Sequence, residues 1–199
     1  MPDEKRPYRM RRRAELEAGT RLRITESAVA LHGTLGPART SISAIAEHAG
    51  VRRSTVYRHF PDEAALFAAC SSHWRAANPP PELARWRAIE DPDERLRAAV
   101  DELYAHYGRT EGMLDNLFRD EATVPSVQKT FSEFHAYLDD AADVLTHGRG
   151  LRGGAAKRTR AAIGHALSFA TWKSLAREQG LDDAQAADLM CRLVAAAAL

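Results

Sequence analysis

Apolar side chains recur at intervals of three and four along almost the whole chain, and no stretch reads convincingly as a strand. That pattern predicts an all-α fold, because a helix buries one stripe per 3.6 residues whereas a half-buried strand buries every second side chain. Glycine, proline and capping residues then cut the pattern into elements. Residues 9–33 read as a long helix with Leu22, Ile24, Ala28 and Leu31 inward, stopped by Gly33 and the Gly36-Pro37 pair. Ser41 is placed to cap a short helix that buries Ile42, Ile45, Ala46 and Ala49. Gly50 supplies a left-handed turn residue, Val51 tucks back into the core, and a second short helix runs from about Arg53 to His59. Pro61-Asp62 ends it and caps a helix over 63–77, with Ala65, Leu66, Ala69, Ser72 and His73 as its inner stripe.

The run N-P-P-P-E at 78–82 is the strongest boundary signal and divides the chain into domains at 1–78 and 79–199. Beyond it, helices are expected from Asp91-Pro92-Asp93 to about Gly108, from Thr110 to about Glu121 and from Pro125 to about Thr146. The glycine-rich segment 147–154 reads as a flexible loop. Two closing helices, about 155–178 and 182–198, are separated by Gln179-Gly180 and recapped by Asp182. No internal repeat is evident.

With 199 residues, 45% hydrophobic and 28% charged, the composition is that of a soluble globular protein. The longest apolar run, L-V-A-A-A-A-L at 193–199, is too short to span a bilayer, and the N-terminus carries charge where a signal peptide needs an apolar segment. A cytoplasmic protein with no membrane partner is expected. Cys70 and Cys191 stand alone, so neither a disulfide framework nor a zinc site assembles from them. The net charge of +1 hides a division: residues 1–60 hold 12 basic and 6 acidic side chains, while 61–199 hold 16 and 21. A basic front and an acidic back suit a molecule that meets a polyanion at one end, although a solvated basic face accounts for charge alone equally well.

The two short helices of S-I-S-A-I-A-E-H-A-G-V-R-R-S-T-V-Y-R-H-F differ in character, the first made to be buried and the second to touch something polar. A helix, a tight glycine turn and a crossing helix form the helix-turn-helix, in which the first holds the second in the DNA major groove. Val56 and Phe60 would anchor the second helix and leave Arg53, Ser54, Tyr57 and Arg58 outward. Arginine grips guanine O6 and N7 with two hydrogen bonds, while hydroxyl and imidazole groups donate to phosphates.

Residues 20–75 resemble the N-terminal domain of TetR/AcrR-family transcriptional regulators, on the core I-A-E-H-A-G-V-R-R-S-T-V-Y-R-H-F-P-D-E-A-A-L, the long first helix and the lead-in G-P-A-R-T-S. The resemblance implies an all-α protein with an N-terminal three-helix helix-turn-helix DNA-binding domain and a C-terminal helical ligand-binding and dimerisation domain. It makes the helix from Arg53 the recognition helix, with Arg53, Ser54 and Arg58 toward bases, Thr55, Tyr57 and His59 toward phosphates, and Ser41 and Ser43 as auxiliary contacts. The family commonly has a capping serine at position 52, where this chain has Arg52, a residue that cannot cap but whose charge favours phosphate. Glu63 replaces a common phosphate-binding lysine. The basic lead-in Arg9, Arg11, Arg12 and Arg13 is placed either to reach a backbone or minor groove or to lie in a solvated terminus.

By the same resemblance the last two helices pair with their copies in a four-helix homodimer interface, and a pseudo-palindromic double-stranded operator is the partner. Ala161, Gly164, Ser168, Thr171 and Leu175, with Ala187, Met190, Val194 and Ala197, would serve either that interface or the core within one chain. A small-molecule effector is expected among the helices at about 93–146 and 155–178, its candidate contacts being His106, Tyr107, Met113, Asn116, Phe118, His135, Phe169 and Trp172. For each of those eight, ordinary core packing is the competing reading. Repression is the family default. No cofactor is called for, and no catalytic or metal-binding set assembles, since H-E-x-x-H, G-x-S-x-G and a phosphate-cradling glycine loop are all missing. A helical adaptor gripping an acidic protein partner and, less well supported, an enzyme are the alternatives.

Overall fold

The computed structural model describes residues 5–199, among which ten helices form and no strand does. They are α1 (Lys5–Thr34), α2 (Ile42–His48), α3 (Arg53–His59), α4 (Glu63–Ala77), α5 (Leu83–Arg87), α6 (Pro92–Asp120), α7 (Pro125–Thr146), α8 (Gly153–Leu167), α9 (Phe169–Lys173) and α10 (Asp183–Ala197). A 3-10 turn at Pro37–Arg39 and a π turn at Ser174–Glu178 complete the order. The all-α expectation holds. Two compact units result, one made of residues up to Asn78 together with Gly112–Thr130, the other of Pro79–Glu111 with Phe131–Leu199.

In the first unit α1 packs on α2, α3 and α4. Its buried face is Ile24, Thr25, Ser27, Ala28 and His32, whereas Leu22, expected inside, is 45% exposed and Leu31 is half-buried. Leu22 precedes Ile24 by two residues, about 200° around the helix, so the two cannot share a face. On α4 the buried residues are Leu66, Phe67 and Cys70. Ser72 and His73 are exposed instead of inward, because the apolar Leu66, Phe67 and Cys70 set the phase of the stripe.

The last turns of α6 pin the connection between α1 and α2. Asn116 Nδ2 donates to the His32 and Gly33 carbonyls at 3.0 and 2.9 Å, Arg119 Nη2 donates to the Leu35 carbonyl at 2.9 Å, and Asp120 Oδ2 accepts from the Ala38 amide at 2.9 Å. Gly36, at φ +92°, passes so close to Arg119 and Asp120 that a Cβ would stand 2.0 and 2.6 Å from their side chains.

In the second unit the expected pair of helices at 92–108 and 110–121 is one continuous α6. Gly108 stays helical, and Thr110 does not cap: its hydroxyl donates back to the His106 carbonyl at 2.7 Å. The short α5, which the sequence pattern did not announce, is held by fully buried Trp86, whose Nε1 donates to Glu102 at 3.1 Å. The helix expected over 155–178 breaks at Ser168, where ψ is +132°. Two carbonyls freed by the break accept from buried tyrosines, Ala166 from Tyr104 at 3.0 Å and Leu167 from Tyr107 at 2.6 Å. α8 packs on α10, and Ala187, Met190 and Val194 are buried within the chain. Asp182 opens α10 with a complete capping box against Gln185.

Candidate nucleic-acid interface

Local chemistry builds the pair α2 and α3. Ser41 Oγ accepts from the Ala44 amide at 3.1 Å and so caps α2. The helix ends in a Schellman arrangement, in which the Val51 amide reaches the Ala46 carbonyl at 2.9 Å and the Gly50 amide the Glu47 carbonyl at 3.0 Å, with Gly50 at φ +66°. α3 is only two turns long and is anchored by Val56 and Phe60, each 1% exposed.

The remaining face of α3 is open. Arg52, Arg53, Ser54 and Arg58 are exposed, Tyr57 is 39% exposed, and Thr55 is half-buried. Arg52 begins the helix without a side-chain cap, as its chemistry requires. The Arg53 guanidinium donates to the Tyr57 hydroxyl at 3.2 Å and lies 5.5 Å from the ring centroid, so the two side chains form one extended polar blade. Ser43 and Glu63 are exposed on α2 and α4.

His59 differs from its expected role. It is half-buried, and its Nε2 is shielded from solvent without a hydrogen-bond partner. Burial first, then the positive charges of Arg58 and Arg21, hold its pKa below the ordinary imidazole value, against an opposing pull from Glu17. A phosphate contact from Nε2 would require the ring to turn.

The basic lead-in is part of α1. Arg11 pairs with Glu15 at 3.1 Å and Arg13 with Glu17 at 3.2 Å, both exposed i,i+4 pairs, while Arg12 is exposed; the Arg9 side chain lies outside the described residues. A residue that motif reasoning missed is Arg21, whose guanidinium donates to the His59 carbonyl and sits 4.1 Å above the Phe60 ring. Its signal was its place one turn before Ile24 and Thr25, at the end of the buried stripe.

The eight effector candidates do not form one group. Met113, Asn116 and Phe118 belong to the first unit, and Asn116 is committed to the α1 carbonyls. In the second unit Tyr107, Phe169 and Trp172 are buried with ring centroids 5.3–5.9 Å apart, His106 packs beside Tyr107, and Trp172 Nε1 donates to Asp183 at 2.9 Å. His135 is exposed. A cavity of about 430 Å³ in that unit is lined by Arg87, Arg95, Asp143, Val144 and His147, none of them a candidate. Arg95, 5% exposed, is already committed: it donates to the carbonyls of Ile89, Glu90, Val144 and His147 at 2.8–3.1 Å and thereby caps the end of α7. Among the described residues no three His, Cys, Asp or Glu side chains gather closely enough to hold a metal ion, and no helix is long and apolar enough to cross a membrane.

Residues 24–70, which span α1 to α4 and include the whole helix-turn-helix, match the family model of bacterial regulatory proteins, tetR family. The likeness to the TetR family thus rests on the helix-turn-helix segment. Solved structures of similar fold extend the likeness beyond the matched segment. A TetR-like transcriptional regulator from Rhodococcus sp. RHA1 superposes with a TM-score of 0.65 at 21% identity, covering 88% of this chain and 93% of its own. A putative TetR-family regulator from Mesorhizobium loti gives 0.61 at 20%, covering 91% and 96%. The transcriptional regulator FadR from Bacillus subtilis, solved in complex with stearoyl-CoA, gives 0.60 at 16%, covering 87% and 96%. None of the curated proteins matches the sequence. At these identities the structures establish a shared fold that runs well past α4.

Proposed function

We propose that this chain is a sequence-specific DNA-binding transcriptional regulator, a ligand-responsive repressor acting as a homodimer on a pseudo-palindromic operator. The observation that carries the reading is the division of α3: Val56 and Phe60 inward, and Arg53, Ser54, Tyr57 and Arg58 on a free polar face. Arg53, Ser54 and Arg58 are assigned to base edges, Arg52, Thr55 and Tyr57 to phosphates, and Ser41 and Ser43 to auxiliary contacts. His59 keeps its assignment to phosphate only if DNA draws the ring outward. Residues 1–78 form the DNA-binding domain and 79–199 the effector-binding and dimerisation domain in this reading.

A two-turn recognition helix reads few bases, so a second copy is needed for tight specific binding. The outer faces of α8 and α10 supply the contact: Leu189 and Leu193 are 44% and 43% exposed one turn apart, and Ala161 and Gly164 leave α8 exposed and narrow. An effector among the helices of the second domain would bias the dimer toward a spacing that the groove rejects.

The test is selection of bound duplexes from a random pool, followed by affinity measurements across salt. If about three cationic contacts per protomer neutralise phosphates, the dimer's log affinity falls with log salt at a slope of about −5. An inverted repeat among the selected duplexes is expected. A flat salt dependence with no enriched sequence refutes the reading, and tight binding to an acidic protein in its place would favour an adaptor.

A further inference from the structure

We propose that Arg21 is a positioning residue for the recognition helix: it fixes α3 against α1 and holds no DNA itself. The inference rests on the DNA-binding reading above. A seven-residue helix has too few internal hydrogen bonds to set its own orientation, so the side chains that tether it decide where its outer face points. Val56 and Phe60 are two tethers, and both are apolar contacts that allow rotation about the line joining them. Arg21 adds a directional third. Its Nη1 donates to the carbonyl of His59, the last residue of α3, while its guanidinium carbon lies 4.1 Å from the centroid of the Phe60 ring. The same group therefore satisfies a helix-terminal carbonyl, places positive charge at the negative end of the helix and clamps the aromatic anchor.

The arrangement separates Arg21 from the arginines of α3. A phosphate contact needs charge at a reachable place, which lysine also provides, whereas donating to a carbonyl and stacking on a ring together need the planar fork. Loss of Arg21 leaves Arg53, Ser54 and Arg58 present but misdirected, which harms the reading of sequence more than attraction to the backbone.

The experiment compares wild type, Arg21→Lys and Arg21→Gln, all full length, on the selected operator and on a scrambled duplex across salt, with amide hydrogen exchange on the DNA-free proteins. Wild type is the control for the underlying reading: if its binding is flat in salt and indifferent to sequence, DNA binding fails whatever Arg21 does. Given a binding wild type, both variants should lose about tenfold or more on the operator, stay within about twofold on the scrambled duplex and keep the wild-type salt slope. Amides of residues 56–60 should exchange about tenfold faster while those of α4 do not change. Full rescue by lysine, or a slope shallower by about 1.8 with equal losses on both duplexes, would make Arg21 a phosphate contact and overturn the proposal. Acceleration of α4 exchange to match α3 would reveal general unfolding and overturn it equally.

Discussion

Acidification from pH 7 to pH 5 probes one buried imidazole in each compact unit. His32 lies under α4, its ring 5.6 Å from Phe67 and its Nδ1 3.5 Å from the Cys70 thiol, and burial lowers its pKa to about 4 despite the nearby negative charge of Asp120. His106 is buried beside Tyr107, and burial together with the charge of Arg109 lowers it likewise to about 4. In the unfolded chain both titrate near the ordinary 6.5. Each native imidazole is therefore neutral where the unfolded one charges, so the stability contributed by this difference is intact above about pH 6.5 and is lost as the pH falls toward 4. At pH 5 unfolding takes up about 0.9 proton per histidine and the loss is about 2 kcal/mol for each. Such a loss moves a urea midpoint by about 1 M for an m-value near 2 kcal/mol/M. The assay is urea unfolding of wild type, His32→Leu and His106→Leu at pH 7, 6 and 5. Carboxylates titrate in all three proteins and cancel in the comparison, so each variant should lose about 2 kcal/mol less than wild type between pH 7 and pH 5. Parallel pH profiles for wild type and variants would refute the claim that these rings are buried and neutral.

Tyr107→Phe should cost about 1–3 kcal/mol in urea unfolding, because it leaves the buried Leu167 carbonyl at the α8 break without its 2.6 Å donor. Gly50→Ala, at φ +66° with nothing within 4 Å of the new Cβ, should cost about 1–2 kcal/mol. Gly36→Ala should cost clearly more in the same urea unfolding, since its Cβ would meet an Asp120 carboxylate already fixed by the Ala38 amide; equal costs would refute the crowding argument. Leu189→Glu combined with Leu193→Glu should convert the proposed dimer to monomer in sedimentation equilibrium and weaken operator binding with it. An unchanged dimer would move the proposed interface off the outer face of α10.

What the sequence revealed and what it concealed separate by the distance along the chain over which each interaction acts. The caps at Ser41, Asp62 and Asp182 accept from amides three residues on, and the turn at Gly50 closes over five, so a short window contains both partners and the stop and start signals were legible. The break at Ser168 was not. Nothing in A-L-S-F-A forbids a helix, and the carbonyls it frees accept from tyrosines 60 and 62 residues away. Gly108 misled in the opposite direction, because a helical glycine packed near Trp172 looks in sequence like a terminator.

The same division governs the interface. The outward face of α3 follows from the i,i+4 placement of Val56 and Phe60, which one turn of sequence displays. The direction in which that face points depends on Arg21, 38 residues earlier, where an arginine on a basic helix reads as one more solvated cation until its guanidinium is found over Phe60. His59 shows the complementary case: its residue type suggested a phosphate donor, while the burial that shields Nε2 is a property of how α1 and α3 meet. Residue chemistry in a motif thus identifies the groups able to touch DNA, but which of them are spent inside the domain to hold the helix is decided by long-range packing. A substitution series that measures salt slope and sequence preference separately is therefore more informative here than affinity alone, because only the slope counts charges at the phosphates and only the preference reports how the helix is aimed.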